Sequence, residues 1–534
     1  MYIEVINKKM SYTNESMSLV GTPRGISTLQ RIAIAIGLVG FTILLLALLN
    51  VDFPNKTTFF ILSLVLIVTG VIIYSNNAYL NKPEGIKNDA TWFKSISSRG
   101  IFGWITGIGL TIFYVLLYYQ PQYLGLSSDG GENTGIISFF DPLSKLLSGN
   151  PASQWFVYGT LYTVAILVFG YKFILKYRHN KYEVLRTISV MFFQLAFAFL
   201  IPEFLIRLNY PYYDFKNMWP LQYDLFSEYK LDSFLSSGNV GLLMLVFGIV
   251  SIFIVSPILT YFYGKRWYCS WVCGCGGLAE TAGDPFRHLS SKKLNAWKLE
   301  RWTIHLVLVF AVAMTIAVIY SFLGENHEQS IISKNQFIWG SIVFLALVVG
   351  IIYIFKRKEL NKDAKYAMLS ITSLMILIFI IGHFSTNNQI LFVDAGAIRG
   401  TYGFLIGAAF SGVVGVGFYP IFGSRVWCRF GCPMAAILGI QQRLLSKFRI
   451  TTNGGQCISC GNCSTYCEMG IDVRAYAQKG ENIVRASCVG CGVCAAVCPR
   501  GVLKLENKPT KDRINSDAVL LGNDVDLLNL LKGN

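Results

Sequence analysis

Apolar residues gather along this chain in ten long runs separated by polar segments. The runs cover roughly 32–51, 57–75, 101–119, 155–175, 187–206, 240–264, 302–323, 336–355, 367–385 and 403–422. Each approaches or exceeds the ~20 residues a helix needs to cross a bilayer. The pattern predicts a polytopic α-helical membrane protein of about ten transmembrane helices. Beyond residue 449 the long runs stop, and short apolar stretches alternate with Gly and Cys, as in a small α+β domain. Composition agrees, with 53% hydrophobic and only 14% charged residues.

Charge adds an orientation. If the N-terminus lies inside, the inner segments hold 39 of the 46 Lys and Arg, and the outer loops hold 7. The positive-inside tendency then places both termini, and everything after residue 423, on the cytoplasmic side of a bacterial inner membrane. No signal peptide pattern opens the chain. The net charge of +16 reads as topology and lipid contact; no basic, aromatic-interleaved reader module suggests nucleic acid. One outer loop, 207–239, is rich in aromatics, among them Tyr210, Tyr213, Trp219 and Tyr223, and reads as an interfacial aromatic belt.

Cysteine spacing supplies the chemistry. Eight of the 13 cysteines lie between Cys457 and Cys498 in two runs, Cys457-x2-Cys460-x2-Cys463-x3-Cys467 and Cys488-x2-Cys491-x2-Cys494-x3-Cys498-Pro499. This is the bacterial two-cluster ferredoxin spacing, in which three thiolates of one run wrap a cube and the fourth ligates the other cube. Two [4Fe–4S] clusters are expected: one on Cys457, Cys460, Cys463 and Cys498, the other on Cys488, Cys491, Cys494 and Cys467. Structural zinc is the competing use of such cysteines, but it favours separated Cys-x2-Cys pairs. Gly461, Gly490 and Gly492 mark close approaches or tight turns. All 13 cysteines fall on the inner side, where disulfides are disfavoured.

A second cysteine set follows spans six and ten. Residues 263–273 (YGKRWYCSWVC) align without a gap on residues 422–432 (FGSRVWCRFGC). Four spans separate the copies, so both lie on the same face, and the chain reads as an internal four-helix duplication. If each Cys-x3-Cys is helical, its sulfurs share a face. Cys269, Cys273, Cys428 and Cys432 then converge on a third metal or iron–sulfur centre at the inner membrane surface. Cys275 is a fifth cysteine beside them. Of five histidines, only His305 and His383 lie near spans, at opposite ends, so no haem is expected.

Paired Cys-x3-Cys motifs after membrane helices, followed by a two-cluster ferredoxin segment, resemble the NapH/NosR-type membrane polyferredoxins over roughly 240–507. The resemblance implies electron transfer between a cytoplasmic donor or quinol pool and a membrane or periplasmic acceptor, as a subunit of an oxidoreductase system. The chain departs from the family in Gly274 and Glu468, which stand where proline is usual, and in having ten spans. It also lacks a Ser/Thr-Gly-Ala-Thr-type attachment sequence for covalent FMN. A metal-centre assembly reductase of the CcoG-like type is the second reading. The expected domains are a tail (1–31), two added helices with an inner loop (32–100), two four-helix repeats (101–301 and 302–449), the ferredoxin domain (450–507) and a C-terminal tail (508–534).

Overall fold

The computed structural model describes residues 26–80, 99–127, 131–325, 332–385, 388–507, 520–521 and 525–526. Most of the N-terminal tail, the loop 81–98 and most of the C-terminal tail lie outside the described residues. Ten helices among the described residues are long and apolar enough to span a membrane: Thr28–Leu48, Lys56–Leu80, Ile101–Tyr119, Gln154–Lys176, Lys181–Arg207, Gly238–Tyr263, Leu294–Glu325, Lys334–Lys356, Lys362–Ser385 and Ala395–Val414. Nine match the expected runs closely.

The tenth begins eight residues earlier than its apolar run. Asp394 caps it by accepting from the Ala397 N–H at 2.7 Å. Its first turns (Ala-Gly-Ala-Ile-Arg-Gly-Thr-Tyr) are too polar to announce a span. The other end of the run breaks into a turn and a short helix, Tyr419–Phe422, opened by Pro420. Spans five, six and ten contain wide turns, at Phe193–Leu200, Ser251–Val255 and Gly403–Val414. Pro202 and Pro257 follow the first two. A proline removes an i→i−4 hydrogen bond, and widened turns recur near functional sites.

The first two spans form a tight pair. A Cβ on Gly40 would stand 2.6 Å from the Ser63 carbonyl, and one on Gly70 2.7 Å from the Ala33 carbonyl. Small residues permit that approach where lipid supplies no hydrophobic drive. The pair packs on the helix Gly135–Leu147 through Phe60, Phe139 and Phe140.

The ferredoxin domain is closed by antiparallel strands, Arg449–Thr452 paired with Leu503–Glu506, with Arg449 opposite Glu506. It sits on the ends of the spans. Tyr182 Oη donates to the Gly490 carbonyl at 2.9 Å, Ser270 Oγ to the Val489 carbonyl at 2.9 Å, and Gln442 Nε2 to the Cys488 carbonyl at 2.7 Å. One continuous core joins the domain to the membrane region, with Cys269, Cys428 and Trp427 packed in the same cluster as Ile450, Val489 and Cys494.

Two glycines reverse the chain, one directly after span six and one after the short helix that follows span ten. Gly264 has φ +68° and Gly423 φ +97°, and the two occupy equivalent positions of the repeat. Both turn the following cysteine motif back into the bundle. Ala in place of Gly423 would be strained, and its Cβ would meet the Ser290 backbone N at 2.8 Å. Gly423→Ala should lower stability by roughly 1–3 kcal/mol, read as a lower thermal midpoint in detergent. Gly37→Ala is the control, because a Cβ there meets nothing within 4 Å.

Candidate metal centres

The eight ferredoxin cysteines line two separate cavities. One is bordered by Cys457, Cys460, Cys463 and Cys498 with Pro499. The other is bordered by Cys467, Cys488, Cys491 and Cys494, with Glu468 and Gly490. The fourth cysteine of each run therefore faces the three of the other run. Short helices Asn462–Thr465 and Val493–Ala496 carry Cys463 and Cys494. Gly461, Gly490 and Gly492 take φ of +80°, +63° and +90°, the left-handed turns their positions suggested. The two sets differ in exposure: Cys460 is exposed, whereas Cys488 and Cys494 are buried. Burial pushes the thiols of Cys463 and Cys491 up to about 12 and that of Cys488 to about 11. Iron binding to these groups must therefore displace protons.

The second cysteine set also converges, by a different local structure from the one its spacing suggested. Neither Cys-x3-Cys lies on one helix. Cys269 ends the helix Arg266–Cys269, and Cys273 caps the next, Gly274–Thr281. Cys428 lies in Val426–Phe430, and Cys432 caps Pro433–Leu444. The reason lies in the caps: a thiol at an N-cap can accept from the first turn of the helix it opens. Cys432 Sγ accepts from the Ala435 N–H at 3.4 Å, whereas Cys273 holds the N-cap position without such a bond, its thiol favoured electrostatically by the Gly276 backbone. The two halves keep the N-cap placement, and each of the four sulfurs is in electrostatic contact with the other three. The neighbouring Cys275 thiol favours a thiolate at Cys273, lowering it against the effect of burial. Cys275 also lies in electrostatic contact with Tyr114, Tyr118, Tyr158, Tyr162 and Tyr419.

After spans six and ten the chain folds back against the bundle. Gly277 packs on Ile166 and Val190, inside spans four and five, and Gly274 packs on Gln194. On the other half, Trp427 rests on Phe410 of span ten with ring centroids 6.1 Å apart.

The loop 207–239 meets the cysteines from the opposite end. It dips between the spans, so the aromatic-belt reading is wrong for most of it. Tyr213 is buried, Met218 packs in the same core as Cys269 and Cys273, and Trp219 Nε1 donates to Thr315 Oγ1 at 2.9 Å. Lys216 Nζ, buried, donates to Gln194 Oε1 at 2.9 Å and is in electrostatic contact with Cys273. Only Tyr210, Tyr212 and Tyr229 of the loop's aromatics are exposed. Expelling the amphipathic rings from the interface costs little here because neighbouring spans supply ring partners, such as Tyr402 for Tyr223 at 5.3 Å.

Around the four sulfurs, several buried donors have no hydrogen-bond partner among the described residues: Lys265 Nζ, Tyr268 Oη, Trp427 Nε1 and Ser424 Oγ. Lys265 is fully buried, and an isolated buried ammonium is costly. Cationic and polar donors facing four thiols suit an anionic sulfur-ligated centre, so the residues fit one.

A buried ion network ties this region to the ferredoxin domain. Glu468 accepts from Arg425 Nε at 2.9 Å and from Arg287 Nη1 at 2.8 Å. Arg425 also pairs with Glu280, which pairs with Arg186. Arg287 donates to Asp284 at 2.8 Å, and Asp284 accepts from Lys176 at 2.6 Å. Burial alone would raise the Glu468 carboxyl, but Arg287 and Arg425 hold it below the usual range. Breaking one such buried pair costs about 3–5 kcal/mol. Sequence reasoning noticed Glu468 only as a missing proline and did not single out Arg425, Lys265 or Lys216. The one available signal was the density of charge within the otherwise apolar repeat. His305 and His383 take local partners, the Arg301 carbonyl and Tyr320 Oη at 2.9 Å.

Residues 456–503 match the 4Fe-4S dicluster domain. Residues 245–295 and 403–451 each match a 4Fe-4S binding domain. The chain carries 4Fe-4S ferredoxin domains. The second match falls on the two copies of the repeat, each with its Cys-x3-Cys. A stretch of 53 residues is 42% identical to the "Putative electron transport protein YccM" of Escherichia coli (strain K12), covering 10% of this chain and 15% of that protein. No solved structure matches. The protein is thus an iron–sulfur protein of multi-pass helical form.

Proposed function

We propose that this protein is a membrane-embedded iron–sulfur conduit that passes electrons between a donor at the ferredoxin domain and a partner within or across the membrane. One observation carries the reading: three cysteine sets lie in series from an exposed surface into the bundle. Cys457, Cys460, Cys463 and Cys498 would hold an outer [4Fe–4S] cluster. Cys467, Cys488, Cys491 and Cys494 would hold a buried one, and Cys269, Cys273, Cys428 and Cys432 a third centre between the spans. Such groups supply one-electron chemistry tuned by burial and hydrogen bonds to sulfur. The chain's own residues do the rest. Ile450 and Val489 exclude water from the buried set, the N-cap bond from Ala435 orients Cys432, and Lys265 and Lys216 offset negative charge.

The lysine and arginine asymmetry supports a cytoplasmic ferredoxin domain, with a cytoplasmic or quinol donor and a membrane or periplasmic acceptor. The NapH/NosR-type resemblance points the same way. An EPR redox titration with iron and sulfide counts on the purified protein should find two ferredoxin signals and one further centre. A reporter fused at Asn534 should read as cytoplasmic. Only two centres, or a periplasmic C-terminus, would overturn the scheme.

A further inference from the structure

Resting on the three-centre reading above, we infer that Arg425 and Lys265 are positioning residues that couple the buried ferredoxin set to the four-cysteine set, with Glu468 as the counter-charge that fixes Arg425. Each cation is in electrostatic contact with both sets: Arg425 with Cys428 and Cys491, and Lys265 with Cys269 and Cys488. Arg425 Nη1 lies 3.6 Å from Cys428 Sγ and also donates to the Cys269 carbonyl at 3.4 Å. Its Nε is held by Glu468 at 2.9 Å. Glu468 follows Cys467 in the chain, and its carboxylate lies within 4.8 Å of Cys491 Sγ. Lys265, fully buried, is in electrostatic contact with both Cys269 and Cys488 and has no hydrogen-bond partner among the described residues.

The two cations occupy neighbouring registers of the repeat. Arg425 stands three residues before Cys428 and Lys265 four before Cys269. Arg266, the repeat equivalent of Arg425, turns away to stack on Phe448 at 4.5 Å. The junction is therefore built by different residues in each half. A charge buried between two centres acts on both at once, because little water screens it. Glu468 explains its own departure from the proline usual in such runs: proline could neither hold Arg425 nor bond Arg287.

The test is the pair of opposite charge removals, read as reduction potentials in the full-length protein rather than as activity. Arg425→Gln should lower the potentials of both the four-cysteine centre and the buried ferredoxin centre. Glu468→Gln should raise both. Each shift should be about tenfold in the reduction equilibrium, about 59 mV for one electron. The exposed centre on Cys457, Cys460, Cys463 and Cys498 should stay fixed, and Arg425→Lys should fall between wild type and Arg425→Gln. If both variants shift the potentials in the same direction, the residues act only by holding the structure together, and the inference fails. It fails equally if one centre moves without the other. Should Arg425→Gln lose iron, Lys265→Met, which removes a cation without orphaning a carboxylate, must still lower both potentials. A wild-type protein lacking the four-cysteine signal would remove the underlying reading; a signal present but unmoved overturns only the coupling.

Discussion

Replacing Cys467 by serine should cost the protein the cluster of the other motif and leave its own motif's cluster in place. Cys467 closes the run that starts at Cys457, yet it lines the cavity with Cys488, Cys491 and Cys494. Cys498 lines the opposite one. Geometry forces the exchange: three cysteines two residues apart wrap one small body, and the fourth, three residues on, is carried round to the neighbour. A serine leaves only three thiolates, so the iron content of the ferredoxin domain should fall by up to half. Cys460→Ser provides the reference, since Cys460 is exposed and belongs to the other set. The two variants should erase different EPR signals. If both erase the same one, the crossed arrangement is wrong. Because the buried set shares its core with Cys269 and Cys428, Cys467→Ser should also lower thermal stability more than Cys460→Ser does.

What the sequence made legible follows from the range of each signal. Span existence is a local property of some twenty residues, and nine of ten spans fell where their apolar runs lie. The tenth slipped because its start is set by a cap at Asp394 and a polar first turn that hydrophobicity does not register. Cluster spacing is likewise local, so the eight ferredoxin cysteines could be sorted into two sets by counting. Depth is not local. Nothing in YGKRWYC says that the chain turns back at Gly264; that depends on where Gln194, Ile166 and Trp427 stand once the spans have packed. The same holds for the loop 207–239. Its aromatics fit a membrane interface equally well, and only long-range contacts such as Lys216 with Gln194 and Trp219 with Thr315 show that it fills the bundle. Buried ion pairs are the hardest to foresee, because Arg425 and Glu468 are 43 residues apart and each alone resembles a surface charge.

Removal of Cys269 or Cys432 should abolish one and the same spectroscopic signal while both ferredoxin clusters persist. The two cysteines come from different halves of the repeat, 163 positions apart in the chain. A shared signal would be explained only by a shared centre. Both sulfurs are in electrostatic contact with Cys273 and Cys428, and Cys432 opens a helix whose first turn donates to it. Losing either ligand leaves three thiols beside Lys265, a buried ammonium with no hydrogen-bond partner among the described residues. The protein then carries an uncompensated cation, and each alanine variant should be destabilised by several kcal/mol, as expected when one partner of a buried charge pair is removed. Lys265→Met in the Cys269→Ala background should recover part of that loss, since the charge without a partner is gone. This rescue separates a metal-bearing site from a merely well-packed one: if the four cysteines were only small core residues, Lys265→Met would help the wild type as much as the Cys269→Ala variant. Two different signals, one lost with Cys269 and another with Cys432, would instead assign each half its own centre and end the single-site reading.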